Sequence, residues 1–155
     1  MNFRTVYEKD LIEQRDLFSS LFLRVYQENF PSETLDACFA GERVDELYKF
    51  VGDGTAIVYG AFNENDDLIG FIWGYERILN NKKRVHVPIL VVREGYERQG
   101  IAKILMQMMI ETSKNKGIQT MEVMVTSSNT TALNYYDAVG FIEARKLLEL
   151  RIDER

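Results

Sequence analysis

The chain is poor in residues that bind metals or form covalent cross-links. Its 155 residues include one cysteine, Cys38, and one histidine, His86. One cysteine cannot form an internal disulfide or a cysteine metal cluster, so we predict no metal site. Helical spacing of the neighbouring apolar residues places Cys38 on the inward face of a helix, and no second histidine is available to activate it. A cysteine nucleophile is therefore not expected.

Long hydrophobic runs and an excess of positive charge are also missing. No apolar run approaches the roughly 18 to 20 residues that cross a membrane, and the N-terminus lacks the basic stretch and apolar block of a secretory signal. We therefore expect a cytoplasmic protein without a membrane partner. The net charge of -5 argues against non-specific binding of nucleic acid, which requires a basic surface. Because repeats and linkers are absent, residues 1–155 are expected to form a single domain.

Hydrophobic periodicity predicts an α/β (α+β) fold. Helical spacing and capping residues predict helices over residues 10–30 (ended by Pro31), 32–50 (capped by Ser32), 100–115 and 130–138. β-rich runs predict strands over residues 2–7, 55–62, 68–77, 84–92, 118–126 and 141–152. The short connections between residues 55 and 92 are typical of an antiparallel meander, and the helix at 100–115 requires one parallel crossover. The order β-α-α-β-β-β-α-β-α-β thus predicts a mixed, mostly antiparallel sheet with helices on both faces.

The segment from Val91 to Lys103 contains the first candidate site. Gly100 and Ala102 begin a helix directly after a short loop, and their small size lets a ligand approach the backbone closely. The first amides of a helix have no intrahelical partner and lie at the positive end of the helix dipole, which favours a pyrophosphate. Arg98 and Lys103 add positive charge. An ordinary strand-to-helix turn explains the same residues equally well. The Gly-Lys-Ser/Thr pattern is absent, so a P-loop nucleotidase is not predicted.

A second candidate site lies further along the chain, from Asn129 to Phe141. Asn129 lies between a predicted strand and a predicted helix, where its side chain can cap the helix or bind an amide of a ligand. Tyr136 follows two turns later on the same face of the helix. Gly140 ends the helix, and Phe141 starts the last strand. The simpler interpretation of this segment is a capped helix with a half-buried tyrosine.

Together these two motifs resemble the Gcn5-related N-acetyltransferase (GNAT) superfamily. The matching residues are Tyr96-x-x-x-Gly100-Ile101-Ala102 and Asn129-x-x-Ala132-x-x-Tyr135-Tyr136-x-x-x-Gly140-Phe141. The resemblance covers the chain from Thr55 onward, whereas the preceding residues match in element order alone. It implies an N-acetyltransferase that moves an acetyl group from acetyl-CoA to a primary amine. Glu97 departs from the family pattern, which usually has Arg or Gln there. An acidic side chain at this position casts doubt on a direct role of Glu97 in cofactor binding. Binding is still expected if backbone amides supply most of the contacts.

The resemblance also implies a role for each site residue. The backbones of Leu90, Val91 and Val92 would pair with the pantetheine arm of the cofactor like an added strand, with the Val92 N–H donating to the thioester carbonyl. The amides that hold the pyrophosphate would be those of Arg98, Gln99, Gly100, Ile101, Ala102 and Lys103. Asn129 would contact the amide arm of the cofactor, and Tyr136 would protonate the leaving thiolate as general acid.

Two residues of the strand at 84–92 bear on this site. Pro88 cannot donate to a strand ladder, which suits a bulge or the point where two strands part to admit the cofactor; a tolerated kink is an equal alternative.

His86 is a candidate general base because its ordinary pKa is about 6.5, and the resemblance gives this role to a glutamate at the matching position. A structural histidine is the simpler interpretation. The other candidates are Glu122, Glu76 or a base acting through water.

The sequence does not determine which amine accepts the acetyl group. In the fold that the resemblance implies, the first two helices build much of the acceptor site, and acidic residues outnumber basic ones between Glu8 and Glu46. This favours a cationic or amino-bearing small molecule or peptide, although a solvated helix face has the same composition. A non-catalytic acyl-CoA-binding or regulatory module and a structural interaction domain are the alternatives to an enzyme. A homodimer is compatible with exposed sheet edges.

Overall fold

A five-stranded mixed sheet forms the centre of the molecule. The structure, a computed structural model, describes residues 1–155. The strands are β1 (Asn2–Thr5), β2 (Ala56–Phe62), β3 (Leu68–Leu79), β4 (Lys82–Val92) and β5 (Met121–Glu122), in this order across the sheet. Neighbouring strands are antiparallel except β4 and β5, which are parallel. The predicted mixed, mostly antiparallel sheet is therefore confirmed.

Helices cover both faces of this sheet. They are α1 (Glu8–Glu13), α2 (Arg15–Asn29), α3 (Ala37–Gly52), α4 (Ile101–Asn115) and α5 (Thr130–Val139). The first three pack on one face, and α4 packs on the other, where α5 also contributes side chains. Because both faces are covered, β3 is buried without alternation from Leu68 to Gly74. No helix is both long and apolar enough to span a membrane.

Each face has its own hydrophobic core. On the face of α2, Phe18 and Phe22 pack edge-on against Phe71, with ring centroids 5.2 and 5.3 Å apart. On the face of α4, Leu105 and Met109 are fully buried. Burying a side chain of this size contributes about 1.5–3 kcal/mol, so these two layers hold α2 and α4 firmly against the sheet between them.

A β-bulge at Pro88 separates β4 from β5. The register of β3 and β4 shifts between Trp73 and Tyr75, where Gly74 alone faces two residues of β4, one of them Pro88. Proline cannot donate to the ladder, so a bulge accommodates it without loss of a hydrogen bond. β5 pairs with β4 only at residues 85 and 86, before the bulge. The pairing of β4 with β5 thus ends two residues before Pro88, and the last residues of β4 have an open edge.

Three predictions about the N-terminal half are wrong in detail. The helix expected over residues 10–30 is divided at Gln14, whose side chain bonds the Asp66 carbonyl and the Leu68 amide, both at 2.7 Å. The next helix is capped by Asp36 rather than Ser32, since the Asp36 carboxylate accepts from the Phe39 amide at 3.0 Å. Cys38 lies in the first turn of α3 and is exposed rather than inward-facing.

The C-terminal strands also differ from the prediction. The strand expected over residues 118–126 contains only the two residues of β5, and the strand expected over 141–152 is absent. A strand needs a neighbour to bond its backbone. Because β5 is too short to offer one, the last strand that the alternating sequence predicts has no partner within this chain.

Candidate active site

The loop after β4 is held in a conformation that turns its backbone amides outward. Its first residue, Arg93, donates its amide to the Ile69 carbonyl at 2.7 Å. Gly95, Arg98 and Gly100 then have positive φ angles of 89°, 59° and 80°. For Arg98 this conformation is unusual and costs about 1–3 kcal/mol, and at Gly100 it explains the need for glycine. The chain therefore bends sharply before α4 begins.

A run of free amides results at the N-terminus of α4. None of the backbone N–H groups from Arg98 to Lys103 donates a hydrogen bond within the protein. They lie at the positive end of a 15-residue helix, and successive amides around a residue of positive φ form an anion-binding concavity. A Cβ built at Gly100 meets no atom within 4 Å, so this side of the loop is open. The arrangement suits a phosphate or pyrophosphate group.

Glu97, which departs from the family pattern, has a structural role in this loop. Its carboxylate accepts from the Gly95 amide and from the Arg24 guanidinium, each at 2.7 Å. The hydrogen bond from Arg24 is the main cause of the lowered pKa of Glu97. The carboxylate therefore holds the loop rather than a ligand, which accounts for an acidic residue beside an anion site.

Arg24 links α2 to both parts of this site. Besides Glu97, its guanidinium donates to the Val92 carbonyl at 2.8 Å. Arg24 is not predictable from the sequence, because nothing in its local pattern distinguishes it from other helix-surface arginines. The contact joins residues 68 positions apart, so only the tertiary structure reveals it.

The open edge of β4 presents backbone groups beside this loop. The Val92 carbonyl accepts from Arg24, which lies outside the sheet. The N–H and C=O of a strand residue point to the same side, so the Val92 N–H also points away from β3. The same alternation turns Leu90 outward and Val91 toward β3, where the Val91 carbonyl lies against Gly70. Of the three predicted backbone residues, Leu90 and Val92 therefore present their backbone groups at the open edge, and Val91 faces β3.

Helix α5 brings Tyr135 and Tyr136 to this region. The Tyr135 hydroxyl donates to the Ala102 carbonyl at 3.1 Å and so ties α5 to the start of α4. The ring of Tyr136 packs edge-on against Tyr135 and Phe141, with centroids 5.3 Å apart in each case. Burial, with a smaller contribution from Tyr135, raises the pKa of Tyr136 to about 12. Its hydroxyl is therefore protonated at neutral pH and can donate a proton.

Asn129 caps α5 in the way that the simpler interpretation predicts. Its side-chain oxygen accepts from the Ala132 amide at 3.2 Å, and its side-chain nitrogen donates to Asn29 at 3.3 Å. Both ends of the amide are thus bonded within the protein. The residue positions α5 against the end of α2.

His86 and Glu122 are brought together across the β4–β5 pair. They are register partners, and His86 Nδ1 lies 3.8 Å from Glu122 Oε2. The His86 ring packs on Tyr75, with centroids 5.3 Å apart, and only 7% of His86 is exposed. Burial lowers the pKa of His86; the charge of Glu122 opposes this shift and that of Arg77 reinforces it. His86 is therefore neutral at pH 7 and can accept a proton.

Several polar atoms around this pair lack partners. Arg77 and Arg84 lie 3.3 and 3.9 Å from Glu122 Oε1. The buried side-chain atoms without hydrogen bonds include Trp73 Nε1, Arg84 Nε, His86 Nδ1 and Glu122 Oε1. Unsatisfied buried polar atoms are uncommon in native proteins and require a reason such as a ligand or a catalytic role. Three of them, on Arg84, His86 and Glu122, lie on the paired ends of β4 and β5, which suits a polar site.

Glu76, the other candidate base, does not join this cluster. Its carboxylate pairs with Lys116 at 3.4 Å and with Lys83 at 3.8 Å. It follows Tyr75 on β3, and successive strand residues point to opposite faces. Glu76 therefore faces away from His86.

The acid and base candidates lie on opposite faces of the sheet. Tyr136 packs against the core on the α4 face, together with Leu90 and Val92. Tyr75, the neighbour of His86, packs against the core on the α2–α3 face. Beyond residue 86, β4 has no pairing with β5, so the sheet is open there between the two faces.

Comparison with known proteins identifies the class to which this fold and site belong. The acetyltransferase (GNAT) family matches residues 15–141, and the chain belongs to this family. The [ribosomal protein bS18]-alanine N-acetyltransferase of Escherichia coli (strain K12) is 33% identical over 55 residues, which are 36% of this chain and 37% of that protein. The N-alpha-acetyltransferase 30 of Schizosaccharomyces pombe (strain 972 / ATCC 24843) is 27% identical over 85 residues, 54% of this chain and 57% of that protein.

A solved structure extends the similarity to nearly the whole fold. An aminoglycoside acetyltransferase, meta-AAC0020 from an uncultured soil metagenomic sample, matches with a TM-score of 0.71 and 21% identity, over 97% of this chain and 93% of that chain. At this identity the likeness establishes the fold alone. The matches to these curated relatives span less than two thirds of their length, 37% and 57%.

Proposed function

We propose that this chain is an acetyl-CoA-dependent N-acetyltransferase that acetylates a primary amine by direct attack. The observation that supports this most strongly is the run of free amides from Arg98 to Lys103 beside the open edge of β4. Family membership supports acetyl-CoA as the donor. A strand edge next to an anion site fits a ligand that has both an amide-containing arm and a pyrophosphate.

The backbone supplies most of the cofactor site. The amides at the start of α4 hold the pyrophosphate, and Leu90 offers its outward N–H and C=O to the pantetheine arm. The Val92 N–H donates to the thioester carbonyl oxygen, which gains negative charge during attack. Asn129 acts indirectly in this scheme, because its amide is already bonded at both ends.

The side chains on either side of the gap supply the proton transfers. An alkyl ammonium has a pKa of about 10.4 and must lose a proton before its nitrogen can attack. His86 takes that proton directly or through water, and the charge of Glu122 raises its pKa against the effect of burial. The new carbon–nitrogen bond forms, the nitrogen gives its second proton to water, and the carbon–sulfur bond breaks as Tyr136 gives its proton to the thiolate. Solvent then restores the proton of Tyr136, and the base releases its own.

The charge distribution favours an amine as acceptor. Four of the five basic residues of α1 to α3 are paired with a carboxylate, in the pairs Lys9–Glu13, Arg15–Asp45, Arg24–Glu28 and Arg43–Glu46; Lys49 is the fifth. The remaining acidic side chains leave this surface negative. Two relatives are named for acetylation of an alanine of a ribosomal protein and for N-alpha-acetylation. Peptides with a free α-amino group are therefore the first acceptors to test, followed by polyamines and aminoglycosides.

Calorimetric titration with acetyl-CoA tests the cofactor site. Gly100→Glu places an anion and an unfavourable φ of 80° at the start of α4, and we expect it to abolish binding. Gly117→Glu is the matched control, because Gly117 lies at the other end of α4 with a φ of 71° and equally open surroundings. We expect the control to bind like the wild type. Failure of the wild type to bind, or equal loss in both variants, would contradict the proposal.

Thiol release in the presence of amines then tests the reaction. Turnover with an amine that depends on Tyr136 is expected of an enzyme. A protein that binds acetyl-CoA but releases no thiol with any amine class would instead be a non-catalytic acyl-CoA-binding module of the same fold.

A further inference from the structure

Two arginines of the hairpin between β3 and β4 lie opposite each other, at the end of the sheet beyond His86. Arg77 and Arg84 are register partners on these antiparallel strands. Like charges placed directly opposite across two strands repel and destabilise the pair. Residues 77–84 contain four basic side chains and no acidic one, so the hairpin itself supplies no compensating charge. The two arginines therefore require a negatively charged partner from elsewhere.

Glu122 is the carboxylate that pairs with these arginines, and it compensates them only in part. Arg77 Nε and Arg84 Nε lie 3.3 and 3.9 Å from the same oxygen, Glu122 Oε1. That oxygen and Arg84 Nε are both buried without a hydrogen bond. Arg145 lies 3.9 Å from the other carboxylate oxygen, so three positive charges share one negative charge. Guanidinium groups also have more N–H donors than a single carboxylate can accept, which leaves donors for a ligand.

Both guanidinium groups are accessible on the face of the sheet that carries His86. The exposed fractions of the Arg77 and Arg84 side chains are 36% and 21%. Because successive strand residues point to opposite faces, Arg84 shares a face with His86, two residues further along β4. Only 9% of the His86 side chain is exposed, and its unbonded Nδ1 lies 3.8 Å from Glu122 Oε2. The proposed base and the two arginines therefore border the same part of the sheet.

The spacing along β4 defines the ligand that these groups can share. Arg84 and His86 are separated by a rise of about 6.6 Å along the strand. An extended peptide covers about the same distance with two residues. An N-terminal amine beside His86 would therefore place the side chain of the second residue beside the arginines. A carboxylate on that side chain would accept charge-assisted hydrogen bonds from the guanidinium groups.

The distribution of charge favours an acceptor with charges of both signs. The surface of α1 to α3 is negative and attracts an amine, whereas the hairpin at residues 77–84 is positive and attracts an anion. An acceptor that has an amine and a carboxylate is oriented by both surfaces. A purely cationic acceptor is attracted by the first surface and repelled by the second.

We propose that the acceptor is a peptide-like amine with a carboxylate on the residue after its amino group, and that Arg77 and Arg84 bind this carboxylate. The inference rests on the proposed acetyl transfer and narrows the class of its acceptor. Glu122 holds the two guanidinium groups at this position, and the acceptor supplies a second negative charge. The arginines determine the affinity for the acceptor and take no part in the proton transfers.

Two amidated tetrapeptides, Ala-Glu-Ala-Ala and Ala-Gln-Ala-Ala, test this inference because they differ only in the charge of the second residue. Amidation removes the C-terminal carboxylate, which would otherwise supply an anion of its own. Calorimetric titration in the presence of CoA, which has no acetyl group to transfer, measures acceptor affinity without turnover. We expect the wild type to bind the glutamate peptide about tenfold more tightly. Equal affinity for the two peptides, or binding of neither, would overturn the proposal.

Substitution of each arginine then tests which residues read the charge. Arg77→Gln and Arg84→Gln should each weaken binding of the glutamate peptide about tenfold and leave the glutamine peptide unchanged. Lys83→Gln is the matched control and should keep the wild-type preference. It removes the same charge from the same hairpin, but Lys83 precedes Arg84 and so points to the opposite face, where it pairs with Glu76.

The arginine variants can contradict the proposal in two ways. Equal weakening toward both peptides would show that the arginines act only through the fold, which circular dichroism checks separately. An unchanged preference in both variants would show that they do not contact the carboxylate.

Thiol release from acetyl-CoA with the same peptides separates this inference from the proposed function. When both hold, we expect turnover in which the two peptides differ in KM and have similar kcat. A binding preference without thiol release would support the carboxylate site and contradict the proposed reaction. Thiol release with equal KM for the two peptides would support the reaction and contradict the carboxylate site.

Discussion

Replacing Arg24 by methionine removes the one side chain that joins α2 to both the end of β4 and the loop before α4. The guanidinium donates to the Val92 carbonyl at 2.8 Å and to Glu97 at 2.7 Å. Methionine keeps the length of the aliphatic part of the side chain and loses only the charge and the donors. The free amides at the start of α4 remain, but the loop that presents them loses its external support.

The size of the expected loss of acetyl-CoA affinity follows from how deeply the two contacts of Arg24 are buried. The Glu97 pair is exposed and screened by solvent, so it adds little. The hydrogen bond to Val92 is partly buried and involves a charged donor, which gives about 1.5 kcal/mol. If all of it holds the loop in its binding conformation, the acetyl-CoA dissociation constant rises about tenfold. We therefore expect an increase of about three- to tenfold.

Calorimetry with acetyl-CoA and thermal unfolding measure the two consequences separately. Arg15→Met is a matched control, because Arg15 also lies on α2 and also bonds a carboxylate and a carbonyl, those of Asp45 and Gly41. Its contacts are with α3 rather than with the loop. Both variants should unfold at a slightly lower temperature, and only Arg24→Met should bind acetyl-CoA more weakly. Equal affinity in the two variants would refute a positioning role for Arg24.

Three further predictions concern the gap and the sheet beside it. Tyr136→Phe should lower kcat about 10²- to 10⁴-fold without changing acetyl-CoA affinity. The reason is that the buried phenol, whose pKa is raised to about 12, serves in the reaction as a proton donor. Unchanged thiol release would exclude Tyr136 as the acid. Burial lowers the pKa of His86 in the folded protein. As the pH falls below about 6.5, the histidine therefore binds a proton in the unfolded chain before it does so in the folded one. The folded state loses stability over this range, down to the folded pKa. Urea unfolding at about pH 7.5 and about pH 5.5 should show a smaller loss for His86→Gln than for wild type, and equal losses would contradict the shift. Gly74→Ala should destabilise the fold by about 1–2 kcal/mol in thermal unfolding, because the added Cβ lies 2.9 Å from the Met109 sulfur. If the variant were as stable as the wild type, the Met109 side chain would be free to move away.

The sequence alone determined the parts of the site that depend on local conformation. Gly100 requires a positive φ, and the helix that follows it exposes its first amides wherever it lies in the fold. Pro88 requires a bulge or an unpaired position whatever strand it occupies. Asn129 caps α5, and Tyr136 lies two turns later on that helix. These properties involve a few consecutive residues, so motif spacing and capping rules suffice to predict them.

Tertiary structure decided which distant residues meet at the site. The contacts of Arg24 with Val92 and Glu97, and of His86 with Glu122, join separate elements, and no local pattern specifies them. The alternating C-terminal segment shows the limit most clearly. Its sequence predicts a strand, but a strand forms only where a neighbour bonds its backbone, and β5 is too short to be that neighbour. Periodicity reports what a segment is suited to form, whereas pairing depends on what the rest of the fold, or a second copy, places beside it.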